Sequence, residues 1–279
     1  MKVLQIGYGR WGSILAKEID ADTNLDLVCI HTRTPIDSVL FCKDLDTALD
    51  NSLITAAIVS TSLTDRHVII QKCLDAGKHV LTEKPLAVST NIANSLLKTA
   101  QDHKLILYTN YTHSHSRLIS MLIDMLSTQN INCIKITMTQ SSQVYHDENV
   151  DTLLFSHILA ILFNISPQQL LAVSKSFVIV HNKHRIILQA PSLRLEANIR
   201  SSNYKRVIEV QTDYQKIYVD FSNDGFISVR DNGVELPRKM INQSANLKYV
   251  FNAFKMACRF EAADNCEQAI AVQQALDRL

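Results

Sequence analysis

Three of the chain's six glycines fall in one short segment, Gly7-Tyr8-Gly9-Arg10-Trp11-Gly12. In a glycine-poor chain such clustering means that bare backbone is needed there. The segment follows the apolar run Val3–Ile6 and opens a helical pattern from Arg10 to about Ile19. In that setting Gly7 makes the tight turn, Gly9 admits a pyrophosphate to the backbone, and Gly12 lets helix and strand pack closely. The helix N-terminus then supplies amide donors and a positive dipole to the phosphates, with Arg10 and Trp11 among the contacts. A tight strand-to-helix turn without a ligand is the plainer alternative.

The end of the second strand selects between cofactors. An acid about 20 residues after the loop would bond a ribose 2′-hydroxyl. The strand ends His31-Thr32-Arg33-Thr34 instead, with Asp26 too early and Asp37 too late. Two threonine hydroxyls beside a guanidinium suit a 2′-phosphate, so NADP(H) is favoured over NAD(H). An ordinary solvated loop arginine is the alternative. Glu83-Lys84-Pro85 follows another strand, whose C-terminal end should face the cofactor crevice. A lysine there can orient a substrate oxygen and pass a proton. Taken alone, the tripeptide reads more readily as a solvated turn. His113 and His115 have a metal-like spacing, but with no Asp, Glu or Cys nearby no metal site is assigned.

These residues need a scaffold, and the pattern supplies one. Strands at Val3–Ile6, Leu25–His31, Thr55–Ser60, His79–Thr82 and Leu105–Thr109 alternate with helices at Arg10–Ile19, Asp65–Ala76 and Thr90–His103. Gly77 closes the second of these helices. Strands alternating with helices of this length predict βαβ units and a doubly wound parallel sheet. Beyond a helix at Leu118–Leu126, a strand at Ile131–Thr139 and a helix at Thr152–Phe163, the pattern changes. Strands are expected at Val173–Val180, Arg185–Gln189, Leu193–Ile199, Arg206–Gln211, Lys216–Phe221 and Phe226–Arg230, bounded by turns that include Asn223-Asp224-Gly225. Helices near Leu247–Arg259 and Cys266–Asp277 close the chain. The fold class is thus α/β: a Rossmann domain over residues 1–112, then an α+β domain with an open, mixed, largely antiparallel sheet over residues 113–279.

Composition excludes several functions. A formal net charge of +1, with no basic run, argues against nucleic acid as a partner. No apolar stretch reaches the roughly 18 residues of a membrane span. The first residues enter a strand with no secretory h-region, which leads us to expect a cytoplasmic protein. Six scattered cysteines make neither a CxxC pair nor a zinc spacing, and read as core hydrophobes.

The ordered set Gly7-x-Gly9-x-x-Gly12, Ser60-Thr61 to His67, Ala76-Gly77-Lys78-His79-Val80, Glu83-Lys84-Pro85-Leu86-Ala87 and His157 resembles the Gfo/Idh/MocA oxidoreductases. The likeness continues at Tyr204–Val210 and Tyr249–Phe254, and covers essentially the whole chain. It implies cofactor contacts at Ser60, Thr61, His67, Glu83 and Lys84, with Lys84 also the catalytic lysine before a cis proline. His157 would be the histidine facing the nicotinamide. It further implies a small-molecule substrate and a homodimer formed through the second sheet. Relatives that oxidise sugars carry an acid four residues before that histidine and another three after it. Here those positions are Leu153 and Ala160, while Asp151 is out of register and expected to cap the helix. Tyr111 or His113, at the domain junction, are candidates to replace the missing acid. His181 and His184 are expected simply to be exposed.

With the base weakened, an NADPH-dependent reductase of a small carbonyl compound, such as a sugar-derived ketone, is the leading expectation. A non-catalytic dinucleotide-binding sensor or partner subunit is the alternative, and a biosynthetic imine reductase a third.

Overall fold

The computed structural model describes residues 1–141, 149–173, 177–222, 225–240, 246–260 and 264–279. Turn residues Asn223 and Asp224, and positions 174–176 at the start of one expected strand, lie outside them. The chain divides into two compact units: Met1–Asn110 with Leu247–Gln273, and Tyr111–Asn246 with Gln274–Leu279.

The first unit is built on a parallel sheet with the strand order β3-β2-β1-β4-β5-β6. The strands are β1 (Lys2–Ile6), β2 (Asp26–His31), β3 (Phe41–Cys42), β4 (Ala56–Val59), β5 (His79–Glu83) and β6 (Leu107–Asn110). Between them run α1 (Arg10–Asp20), the short α2 (Leu45–Leu49), α3 (Leu63–Asp75) and α4 (Thr90–Asp102). Strands buried on both faces read as continuous apolar runs, as all four residues of β4 do. Strand order reverses between β1 and β4, and the crevice outside their carboxyl ends is where such sheets take ligands. Gly77 ends α3 at a φ of +71°, with its amide on the Leu74 carbonyl at 2.9 Å and that of Lys78 on Cys73 at 2.9 Å.

The domain boundary expected at residue 112 differs from this division in one large respect. Helix α8 (Asn246–Phe260) returns to the first unit, burying Val250, Phe251, Phe254 and Ala257 against Val3, Leu15, Ile19 and Leu25. Tyr108 meets Phe254 edge-on, with ring centroids 6.3 Å apart. Lys255 forms a largely buried ion pair with Asp22 at 2.6 Å, which helps hold the Asp22 carboxyl below its usual range. Asn265, just before α9 (Cys266–Leu276), bonds both the amide and the carbonyl of Thr109, at 2.8 and 2.7 Å. It thereby completes the edge of β6 as a further strand would.

The second unit opens with a 3₁₀ turn, Thr112–His115, and helix α5 (Arg117–Leu126). Its sheet runs β14-β13-β12-β11-β7-β10-β9-β8, with β15 on β13. Strand β7 (Ile131–Thr139) coincides with the sequence expectation. It pairs parallel with β10 (Leu193–Asn198) and antiparallel with β11 (Lys205–Thr212), so the sheet is mixed. The other strands are β8 (Phe177–Asn182), β9 (Arg185–Ala190), β12 (Gln215–Asp220), β13 (Phe226–Asp231), β14 (Val234–Glu235) and β15 (Lys239–Met240). Alternation packs one face, through Ile134, Ile136, Leu195 and Ile208, and leaves a polar one carrying Lys135, Glu209 and Tyr218. Helix α6 (Ser156–Ile165) packs against β7 and is followed by α7 (Pro167–Ala172), which starts on a proline.

Candidate functional site

The glycine loop shows three different uses of a missing side chain. Gly7 has a φ of +92°, and a Cβ there would lie 2.7 Å from the Ser60 carbonyl oxygen. At Gly12 it would lie 2.4 Å from the Gly7 carbonyl oxygen and 2.8 Å from Ser60 Oγ. Both glycines are therefore required by the protein's own packing. Gly9 is not: its φ of −73° suits any residue, and a Cβ would meet nothing within 4 Å. It caps α1 with its backbone facing open space, which fits a cradle for an anion at a helix N-terminus.

The sequence pattern missed the residue that fixes this loop. Gln5, fully buried in β1, donates through Nε2 to the Gly7 carbonyl (3.0 Å) and to Ser60 Oγ (2.9 Å). Ser60 Oγ donates in turn to the Gly7 carbonyl at 3.0 Å. A polar residue inside the apolar run Val3–Ile6 was the available signal, because a buried amide needs partners. Thr61 Oγ1 and His67 Nδ1 are buried with no partner among the described residues. They belong to the same crest and add unspent polar capacity there. Together these features fit a bound dinucleotide.

Glu83, Lys84 and Pro85 turn off the end of β5, and the Lys84–Pro85 peptide is cis. The Glu83 carboxylate is occupied within the unit. It accepts from Trp11 Nε1, from Asn110 Nδ2 at 2.7 Å and from the Lys84 amide at 3.3 Å. Glu83 and Trp11, both expected as cofactor contacts, thus bond each other and join the start of α1 to the Lys84 turn. Lys84 itself is half-buried. Arg10 is exposed on the first turn of α1.

Thr32, Arg33 and Thr34 follow β2 as expected. Thr32 is half-buried, while Arg33 and Thr34 are exposed. Arg33 Nη1 stands 3.5 Å from Asp65 Oδ2, and its side chain is 87% exposed. A pair so open to water is weak and leaves the guanidinium available to a stronger anion.

In the second unit, His113 and His157 come together. Their ring centroids are 4.7 Å apart at 72°, and His113 also packs on Phe221 at 5.7 Å. His157 is 9% exposed, on an α6 otherwise buried almost all round. Tyr111 is fully buried at the head of the 3₁₀ turn.

The helix carrying His157 begins with a π turn, Asp151–Phe155. Ser156 explains the wide turn: its Oγ donates to the Thr152 carbonyl at 3.0 Å, the acceptor its own amide would take in an α-helix. That amide reaches instead to the Asp151 carbonyl, one residue further back. The capping expected of Asp151 falls to Asn149, whose Oδ1 accepts from the Asp151 amide at 3.2 Å and whose carbonyl accepts from Leu153. The Asp151 carboxylate pairs with His181 Nε2 at 3.2 Å, so His181 has a partner that the sequence reading did not foresee.

Burial pushes the His115 imidazole down to about 4 from its usual 6.5. The folded state therefore prefers the neutral ring. This contribution is complete above pH 6.5 and drains away as pH falls toward 4, amounting to about 3 kcal/mol. Burial lowers His79 in the same direction, and its Nδ1 accepts from the Ile106 amide at 3.0 Å. Urea unfolding of the wild type should show stability falling across this window, with a shallower slope in His115→Gln. Equal slopes would exclude His115 as a source.

Among the described residues no group of His, Cys, Asp or Glu could hold a metal ion, and no helix is long and apolar enough to cross a membrane.

Comparison with known proteins agrees with this architecture. The whole chain superposes on a 3-ketoreductase from Actinomadura kijaniata, KijD10, crystallised with TDP-benzene and NADP. The TM-score is 0.83 at 14% identity, covering 100% of this chain and 96% of that one. UDP-N-acetylglucosamine 3-dehydrogenase GnnA from Acidithiobacillus ferrooxidans gives 0.85 at 15% identity, with 100% and 96% coverage. At such identities the likeness establishes the fold. No curated protein sequence matches the chain. Residues 1–111 match the GFO_IDH_MocA profile, described as an oxidoreductase family with an NAD-binding Rossmann fold. Over those 111 residues the profile agrees with the likeness to the Gfo/Idh/MocA oxidoreductases that the motifs carry.

Proposed function

We propose that this chain is an NADPH-dependent reductase acting on a carbonyl group of a sugar-related small molecule. The observation that carries the reading is Gly9, bare toward open space at the carboxyl end of β1 while its neighbouring glycines are consumed by packing. When bound, the nicotinamide supplies a hydride. Lys84 orients the substrate oxygen and passes it the proton that it takes up. No carboxylate stands at Leu153 or Ala160 to draw a proton from a substrate alcohol, which favours reduction over oxidation. The sugar-related substrate is supported by one structural neighbour named a UDP-N-acetylglucosamine 3-dehydrogenase, and the carbonyl by another named a 3-ketoreductase. The homodimer through the second sheet is part of the same reading, and sedimentation velocity tests it.

The test is NADPH consumption, followed by absorbance, over a panel of keto-sugars, their nucleotide conjugates and imines. Turnover on keto-sugars supports the proposal, while turnover on imines alone replaces it with the imine reductase. Leu153 in place of an acid favours one second reading, a dinucleotide-binding protein without catalysis. Micromolar NADPH binding with no turnover on any compound would establish that one.

Preference for the phosphorylated cofactor rests on Arg33. Arg33→Ala should weaken NADPH binding about tenfold, since a charge-assisted bond is worth about 1.5–3 kcal/mol, and leave NADH binding nearly unchanged. Equal loss for both cofactors in calorimetric titrations would place Arg33 away from the 2′-phosphate.

A further inference from the structure

Arg66 lies on the inward face of α3, in line with Ile70, Cys73 and Leu74, and is only 6% exposed. A guanidinium at a core position of a helix is costly unless its donors are met. Here they meet backbone. Nη1 donates to the Glu83 carbonyl at 2.9 Å and to the Pro85 carbonyl at 2.6 Å, and Nη2 to the Thr61 carbonyl at 2.9 Å. Two of these three acceptors flank Lys84 on either side. The third belongs to the loop leaving β4, at the same carboxyl edge of the sheet.

We infer that Arg66 is a positioning residue for Lys84. One planar, rigid donor group holds the carbonyls before and after the lysine, and so fixes the direction in which its Cα–Cβ bond leaves the turn. The Glu83 carboxylate braces the same turn from the other side, through Trp11 and Asn110. An apolar residue could fill the volume under α3, but it could not hold two peptide planes. The inference rests on the reading of Lys84 as the group that meets the substrate. It extends that reading to a buried residue of α3 that acts on Lys84 through the backbone of its turn. Displacing a catalytic group by about 1 Å is enough to cost about 100-fold in rate.

The test uses the full chain with Arg66→Met and Arg66→Lys, the lysine variant serving where the methionine variant does not fold. Two measurements are made on each. Acetylation of individual lysines by a limiting amine-reactive ester, read by peptide mapping, reports the setting of Lys84 against the exposed Lys43 and Lys98. Steady-state kinetics with calorimetric NADPH binding separate catalysis from affinity. The expected result is a changed labelling rate at Lys84 alone. Alongside it, kcat should fall about 10- to 100-fold with the NADPH Kd nearly unchanged, and Arg66→Lys should recover part of the loss. Wild-type labelling of Lys84 in a folded variant overturns the inference, as does a loss confined to NADPH affinity. A wild type that turns over no substrate defeats the functional reading instead, and the labelling still decides the role of Arg66.

Discussion

Gly9→Ala should fold as the wild type does and lose dinucleotide binding, whereas Gly12→Ala should lose stability first. The contrast follows from what each added methyl group meets. At position 12 it would sit 2.4 Å from a backbone oxygen of the loop and 2.8 Å from the Ser60 hydroxyl that supports it. Neither can retreat easily, because Gln5 and the Gly7 carbonyl hold that hydroxyl in place. Overpacking of this kind costs about 1–3 kcal/mol or more, a fall in melting temperature of several degrees. Gly7→Ala should behave similarly, with the penalty of a φ of +92° added.

At position 9 the backbone is ordinary and the space is empty, so the folding cost should stay near the roughly 1 kcal/mol of exchanging a helix cap for alanine. The methyl group would instead occupy the approach to the amides at the start of α1. Affinity for NADPH should fall at least about 100-fold by calorimetry, the scale of losing several charge-assisted bonds to phosphate. Unchanged affinity in Gly9→Ala would mean that the loop is a turn and nothing more.

Much of this arrangement was legible before the structure because the relevant signals are local. A buried parallel strand is a short apolar run, and a glycine loop after such a run has one well-understood use. Ile131–Thr139 was equally plain, since period-two alternation marks a sheet with one wet face. The motif Ala76–Val80 turned out to be scaffold. Gly77 closes α3, Lys78 Nζ bonds the Asn51 and Ile54 carbonyls at 3.0 and 2.9 Å, and His79 receives the Ile106 amide. What stayed hidden depended on partners distant in sequence. The apolar face of α8 shows that it must be buried, but not that the core it joins begins at Val3. Gln5 and Arg66 are polar residues at apolar positions, anomalies whose meaning appears only with the carbonyls they bond. The π turn before His157 hangs on one serine hydroxyl competing with its own amide, a choice that composition cannot announce.

Lys84→Ala should reduce NADPH-dependent turnover by about 100- to 10,000-fold, the range for removing a positioned acid–base group, while NADPH still binds with near wild-type affinity. Reduction of a carbonyl needs a proton delivered as negative charge develops on oxygen, so the useful groups are donors. An ammonium and a pair of imidazoles suit that task, whereas the carboxylates absent at Leu153 and Ala160 would suit the reverse reaction. Removing the lysine takes away both the donor and the charge that steadies the oxygen. The turn itself should survive, because Glu83 and Arg66 hold it through the Lys84 amide and the neighbouring carbonyls, not through the lysine side chain. His157→Gln, which keeps a hydrogen-bonding side chain, should lose less turnover than Lys84→Ala. If Lys84→Ala turns over as fast as the wild type, Lys84 is not the catalytic group.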